Sequence, residues 1–500
     1  MRRMDGVSAF LFHQEQSGAV MHTLKISIMD TSDIPGGWNY ELFRKSVANR
    51  QHLLPMFRWK ALKVPLGLHH PVWVDDPDFD LDYHLRRIAC PAPGDRKAFC
   101  ELVSEVYAWP LDMSKPLWLC WVVEGLQDNE VALVTLVHHA YTDGSGAARL
   151  LHRIYSLSQN AAEPEMQMAW VPEKTPGRLT LLAHALIDLP RTWMTSLPKI
   201  RQGIANVRAM KKKYRESGRE LPPSALNDTR DSPFNIMVGR GRTFVFDTLA
   251  LEDIRAISKG FGVTINDLFV AATAGAYRKF MQTRGYDPDT GPLVAAIPVS
   301  KRPPPELDDM IGNMTSTDYL AMPVHLADPA ARLKAAAHAG NVMKEHLVAA
   351  EGADLSNIVE ITPPILIRLL DWIVKHKEGK FGIWGNAAIS NVPGPREPLY
   401  MGAMKLKNWI SMGMIAHGLG LNTTVWSYAG QFNICILADK KLLPDGWELV
   451  GYFREAFAEY QQLLEQKQQQ EAAATAPSTP ASGTADARTV APGTGCPRPR

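Results

Sequence analysis

The spacing of hydrophobic positions switches repeatedly along the chain between a period of two and one of three to four, which predicts strands and helices in alternation. Val131 to Val137 is an unbroken apolar run rich in β-branched residues and bounded by a turn, so it reads as a strand buried on both faces. Thr23 to Met29 alternates, and Leu293 to Val299 reads as another buried strand. Helices are predicted over residues 39–53, Leu268 to Arg284, Ala330 to Ala350 and Pro364 to His376. Asn408 to Ala438 contains no Asp, Glu, Lys or Arg. Glycines and asparagines interrupt it, and the alternation around Tyr428-Ala429-Gly430 predicts two core strands and a turn rather than a membrane span. Ser390 to Pro395 reads as a turn by composition.

Between Gln159 and Leu226 the pattern changes. Pro164, Pro172, Pro176, Pro190 and Pro198 predict short pieces followed by a helical stretch to Arg219. Beyond Glu465 the chain is Gln-rich, then rich in Ala, Pro, Thr and Ser, and such a composition predicts disorder. The expected division is therefore 1–158, a Pro-rich helical connector 159–231, a second half 232–465 and a tail 466–500.

The chemistry concentrates where the buried strand ends. His138 and His139 are followed by three spacer residues, then Asp143 and Gly144, and helical spacing resumes with Leu150, Leu151 and Ile154. Neighbouring strand residues point to opposite faces, so the two imidazoles cannot enter one cavity. One can act chemically while the other packs. Asp143 at a helix start is favourably placed as an anion, and Gly144 is expected to permit unusual backbone angles. A neutral imidazole held at this spot suits a general base, although packing is the ordinary fate of such a pair. The histidines diverge and no third ligand is near in sequence, so no metal site is expected.

Composition narrows the field. Lys plus Arg number 54 and Asp plus Glu 52, a net charge of +2 that gives no reason to expect nucleic acid. Cys90, Cys100, Cys120, Cys435 and Cys496 are odd in number and scattered, which predicts a reducing, cytoplasmic setting. The apolar stretch after Arg2 and Arg3 ends by His13, too short for a secretory core. Basic residues gather over 208–219, where a solvated helix face is the default and an anionic membrane surface the alternative. The sequence has no GxSxG elbow, HExxH, P-loop or CxxC.

His138-His139-Ala140-Tyr141-Thr142-Asp143-Gly144 matches the HHxxxDG signature of the chloramphenicol-acetyltransferase-like, CoA-dependent acyltransferases. Other stretches resemble one branch, the bacterial wax ester synthase/diacylglycerol acyltransferase family. They include Met21-His22, Pro116-Leu117-Trp118, Asn266-Asp267, the strand ending near Arg302, Gly312-Asn313 and Ser390 to Pro395, and the resemblance spans about Asp5 to Glu465. It implies an α/β fold of two similar lobes, each a mixed β-sheet flanked by helices, with the active-site tunnel between them. It also implies His139 as general base, His138 as support, and Asp143 holding the loop through a salt bridge to Arg302. Asn266 would donate to an oxyanion and Asn391 would contact substrate; Asp267 is left as a helix cap.

The reaction so implied moves a long-chain fatty acyl group from acyl-CoA, a co-substrate rather than a bound cofactor, to diacylglycerol, a long-chain alcohol, or both. No acyl-enzyme is expected. A lipid acceptor would bring the protein to the inner face of the membrane or to lipid droplets. The alternatives are a polyketide- or carrier-protein-linked HHxxxDG acyltransferase and an inactive lipid-binding homologue.

Overall fold

The structure, a computed structural model, describes residues 1–15, 19–159, 161, 162, 164, 170–301, 312–349, 355–376 and 384–475. Its strands in chain order are β1 (Arg2–Arg3), β2 (His22–Asp30), β3 (Trp59–Leu62), β4 (Val72–Asp75), β5 (Leu85–Ala89), β6 (Trp118–Glu124), β7 (Glu130–His138), β8 (Arg242–Ala250), β9 (Leu293–Ser300), β10 (Thr315–Met322), β11 (Ala387–Pro393), β12 (Tyr400–Met401), β13 (Met404–Met412), β14 (Leu421–Tyr428) and β15 (Gln431–Asp439).

Two six-stranded mixed sheets form the two lobes, ordered β12-β13-β2-β7-β6-β5 and β10-β9-β11-β14-β15-β8. The apolar run that reads as a doubly buried strand is β7, and it lies inside the first sheet between β2 and β6, antiparallel to both. Tyr428-Ala429-Gly430 turns β14 back into β15, with Ala429 at φ 43° and Gly430 at φ 83°. A three-stranded sheet, β1-β4-β3, stands apart from these two.

Four sequence expectations need correction. The lobes are not contiguous in sequence. β13 comes from the second half yet pairs antiparallel with β2 over Lys405↔Asp30 to Met412↔Leu24, closing an edge that β2 would otherwise leave open. Ser390 to Pro393 is strand rather than turn, because β11 sits between β9 and β14 and pairs in parallel with both. Its proline closes the strand, where a missing N–H costs least.

Most of the connector is taken up by a single long helix, Arg178–Ser217, which runs through Pro190 and Pro198. Leu181, Ala185, Ser196, Ile200, Gly203 and Tyr214 give it a buried stripe whose packing offsets the lost hydrogen bonds. Gly218, at φ 65°, ends it. The last helix, Gly446–Thr475, continues past Glu465, and Lys467 donates to the Gly260 carbonyl at 2.7 Å; residues 476–500 lie outside the described set. No helix among the described residues is long and apolar enough to cross a membrane.

Candidate active site

β7 ends at His138, and three residues of turn separate His139 from Asp143, the N-cap of the helix Gly144–Ile154. Asp143 Oδ1 accepts the Gly146 N–H at 2.8 Å and the Ser145 hydroxyl at 3.0 Å. Its Oδ2 accepts the Met314 N–H at 2.9 Å. One buried carboxylate thus caps the helix and fastens it to the start of β10. Gly144 needs no unusual backbone angle. A Cβ there would come within 3.2 Å of Val392 Cγ2, so the glycine serves the close approach of β11, and the sequence expectation is corrected accordingly.

The two imidazoles part as strand geometry requires. His138 is fully buried beside Phe12, and its Nδ1 accepts the Ala140 N–H at 3.0 Å. Burial pushes its pKa down to about 3, so it stays neutral. His139 instead lines a cavity between the two sheets. Thr23 and Lys25 of β2 form one wall; Thr315 and Thr317 of β10, Asn391 of β11 and Thr424 of β14 face them. Asn391 therefore stands in the same cavity as His139. No group of three or more His, Cys, Asp or Glu among the described residues is arranged to hold a metal ion.

Asn313 orients the His139 ring. Its Nδ2 lies 3.0 Å from Nδ1 and 3.3 Å from the His139 carbonyl oxygen, while its Oδ1 accepts from the Thr315 hydroxyl. The Asn313 N–H is fixed in turn by Asp5 Oδ2 at 3.2 Å and Ser8 Oγ at 3.1 Å, and the Gly312 N–H donates to the Tyr141 carbonyl at 2.7 Å. Backbone hydrogen bonds to His139 itself and to Thr142 also engage the ring. Burial, then the charge of Lys25, pushes the His139 pKa down to about 4, against the opposing pull of Asp143 and nearby backbone carbonyls.

Lys25 is the second functional residue that sequence reading missed. Its Nζ donates to Ser411 Oγ at 2.7 Å and lies 5.9 Å from the centre of the Trp426 ring. Burial pushes its pKa down to about 7, although Asp143 favours the charge. Lys25 alone among the described lining residues borders both the His139 cavity and a second, apolar one walled by side chains such as Phe43, Leu133 and Leu150. The signal lay in the alternation of β2: Leu24, Ile26 and Ile28 fill the core, and the opposite, polar row of Thr23, Lys25 and Ser27 faces cavities rather than bulk solvent.

Asn266 does not join the site. β14 turns Asn422, Thr424 and Trp426 to the cavity, and Thr423, pointing the other way, bonds Tyr277 at 2.9 Å. Tyr277 belongs to the helix Ile265–Thr283, so that helix and Asn266 near its start lie behind the sheet. The oxyanion role expected of Asn266 is withdrawn. Asp267 completes a capping box with Thr264. Arg302 lies outside the described residues.

An imidazole held neutral in a cavity between two lobes can take a proton from a bound hydroxyl. The sequence matches the model of the wax ester synthase/diacylglycerol acyltransferase catalytic domain over residues 4–269 and that of the WS/DGAT C-terminal domain over 311–461. It is 42% identical over 480 residues to "Putative diacyglycerol O-acyltransferase Rv3087" of Mycobacterium tuberculosis, covering 96% of this chain and 99% of that one. A second protein of that organism, "Putative diacyglycerol O-acyltransferase Rv0221", is 33% identical over 90% of this chain and 94% of its own length. The solved wax ester synthase/diacylglycerol acyltransferase from Marinobacter aquaeolei VT8 shares the fold, with a TM-score of 0.65 at 21% identity over 93% of this chain and all of that one. The first condensation domain of the calcium-dependent antibiotic synthetase shares it too, with a TM-score of 0.57 at 12% identity, 93% of this chain and 96% of that one being covered. The chain belongs to the wax ester synthase/diacylglycerol acyltransferase family and is an acyltransferase.

Proposed function

We propose that the protein transfers a long-chain fatty acyl group from acyl-CoA to the hydroxyl of diacylglycerol or a long-chain alcohol, with His139 as general base. The observation that carries this reading is the His139 ring, oriented by Asn313 and neutral near pH 7, in the cavity between the lobes. His139 takes the proton of the acceptor hydroxyl on its unprotonated ring nitrogen as the hydroxyl oxygen forms a bond to the thioester carbonyl carbon. The C–S bond then breaks, and the imidazolium returns the proton to the departing CoA sulfur. Thiolate is a good leaving group, so one positioned imidazole suffices and no acyl-enzyme forms. General-base assistance is worth about 10²–10⁴-fold, and holding both substrates in one cavity supplies much of the rest.

In this reading His138 supports the turn that presents His139, and Asn391 contacts substrate from the opposite wall. Asp143 fixes the loop through its helix cap and its hold on Met314. Acyl-CoA is the co-substrate and no cofactor stays bound. The acceptors are insoluble in water, which favours a cytoplasmic protein working at the inner face of the membrane or on lipid droplets. Incubating purified protein with radiolabelled palmitoyl-CoA and either diacylglycerol or hexadecanol, then separating products by thin-layer chromatography, tests the proposal. Labelled triacylglycerol or wax ester supports it. Transfer only from an acyl carrier protein would favour the carrier-linked alternative, and no transfer at all the inactive lipid-binding one.

A further inference from the structure

The helix Arg178–Ser217 carries, opposite its buried stripe, a row that begins apolar and turns basic. Ile187, Met194, Arg201, Arg208 and Arg215 recur every seventh position and so share one side. Ile187 is 53% and Met194 75% exposed. The helix holds nine Lys and Arg against two acids, Asp188 and Glu216, and Asp188 is already engaged by Arg3 at 2.8 Å.

A second exposed apolar face adjoins it. Ile365, Leu369 and Trp372 of the helix Pro364–His376 are more than half exposed, and Trp193 Nε1 of the long helix donates to the Ile361 carbonyl at 3.3 Å just before that helix begins. Leu66, 88% exposed, stands on the neighbouring Pro65–Gly67 turn, where a Cβ on Gly67 would touch Pro364. So many large apolar side chains gathered on one face, rimmed by cations, exceed what a freely dissolved surface ordinarily shows.

Beneath this face a third cavity opens. Ile204 and Val207 of the long helix and Leu366 of the second line it, and Phe10, Thr317 and Trp384 line both it and the His139 cavity. The third cavity and the His139 cavity thus lie on either side of these three side chains.

We propose that this face docks on an anionic phospholipid bilayer, and that the lipid acceptor enters from there through the third cavity to His139. The route rests on the acyltransfer reading given above; the docking does not. Apolar side chains would sink into the interfacial region, while Arg201, Lys212 and Arg215 meet lipid phosphates.

Flotation of the full chain with vesicles of phosphatidylcholine, with or without phosphatidylglycerol, tests the docking. Wild type should float with the anionic vesicles. The pair Met194→Glu and Trp372→Glu should weaken binding at least ~10-fold, since each sets a charge where an apolar group must be buried. The triple variant Arg201→Ser, Lys212→Ser and Arg215→Ser should lose on the order of 100-fold on anionic vesicles, at about tenfold or less per cation. Transfer to dispersed octanol should stay at the wild-type level in both, while transfer to diacylglycerol presented in vesicles falls. A wild type that does not float, or Glu variants that float as well as it does, would overturn the docking. So would sedimentation showing that the Glu pair merely dissociates a dimer. Normal use of vesicle-borne diacylglycerol by non-floating variants would overturn the entry route. Vesicle binding without transfer to any acceptor would instead strike the acyltransfer reading and leave the docking standing.

Discussion

Asn313 Nδ2 lies 3.0 Å from His139 Nδ1, and the Asn313 backbone is itself held by Asp5 and Ser8 of the first helix region. The His139 ring is thus oriented by a residue from the other half of the chain. Asn313→Ala should lower kcat on the order of 100-fold with little change in KM, the cost of a misaligned base. The double variant with His139→Ala should be no worse than His139→Ala alone, because the two act through one imidazole. Steady-state kinetics on the three variants checks this, and additive losses would disprove the coupling.

His139 and Lys25 give the reaction an unusual pH dependence. With the His139 pKa pushed down to about 4, kcat/KM should hold its value through pH 5 and fall only as the imidazole protonates below that. The Lys25 charge contributes to the depression, and Lys25 remains protonated in that range, since its own pKa lies at about 7. Lys25→Met should therefore move the acid limb to higher pH. A limb at the ordinary histidine value in wild type, or one that Lys25→Met leaves in place, would argue against this electrostatic arrangement.

Lys25 also carries a stability signature. Its folded pKa, about 7, is depressed from an ordinary 10.5, so between these values the unfolded chain holds more protons than the folded one. Stability from this group rises as pH increases across that window and is lowest below pH 7. Lys25→Met should raise Tm at neutral pH and flatten its slope between pH 7 and 10 relative to wild type. A lower Tm in the variant would show that the ammonium is better accommodated than its surroundings suggest.

Asp143→Asn keeps a cap for the helix but sets an amide NH2 against the Met314 N–H that Oδ2 now accepts. An unsatisfied buried donor costs about 1–3 kcal/mol, and chemical denaturation should show a loss of that size. Gly144→Ala should be damaging for a different reason, its Cβ meeting Val392 Cγ2 at 3.2 Å. Val392→Ala in the same chain should restore most of the lost stability, which a strained backbone at Gly144 would not allow.

What could be read from the sequence was local. His139 apart from His138, and Asp143 at a helix start, follow from strand alternation and capping, both set by neighbours in the chain. The Asn313 contact joins residues 174 positions apart, and nothing in the periodicity around Gly312-Asn313 announces it. β13 illustrates the same limit: its pattern says strand, but only tertiary packing decides that it completes the first sheet. Asn266 failed because a cap is local while facing a site is not, and a whole sheet stands between it and the cavity. Pro190 and Pro198 misled in the opposite direction, since a well-buried stripe carried the helix through both.

The most direct test of the central claim is acyl transfer by His139→Ala, with folding verified by circular dichroism. Transfer from palmitoyl-CoA should fall by about 10²–10⁴-fold while the spectrum matches wild type. Wild-type turnover in a folded His139→Ala protein would contradict it.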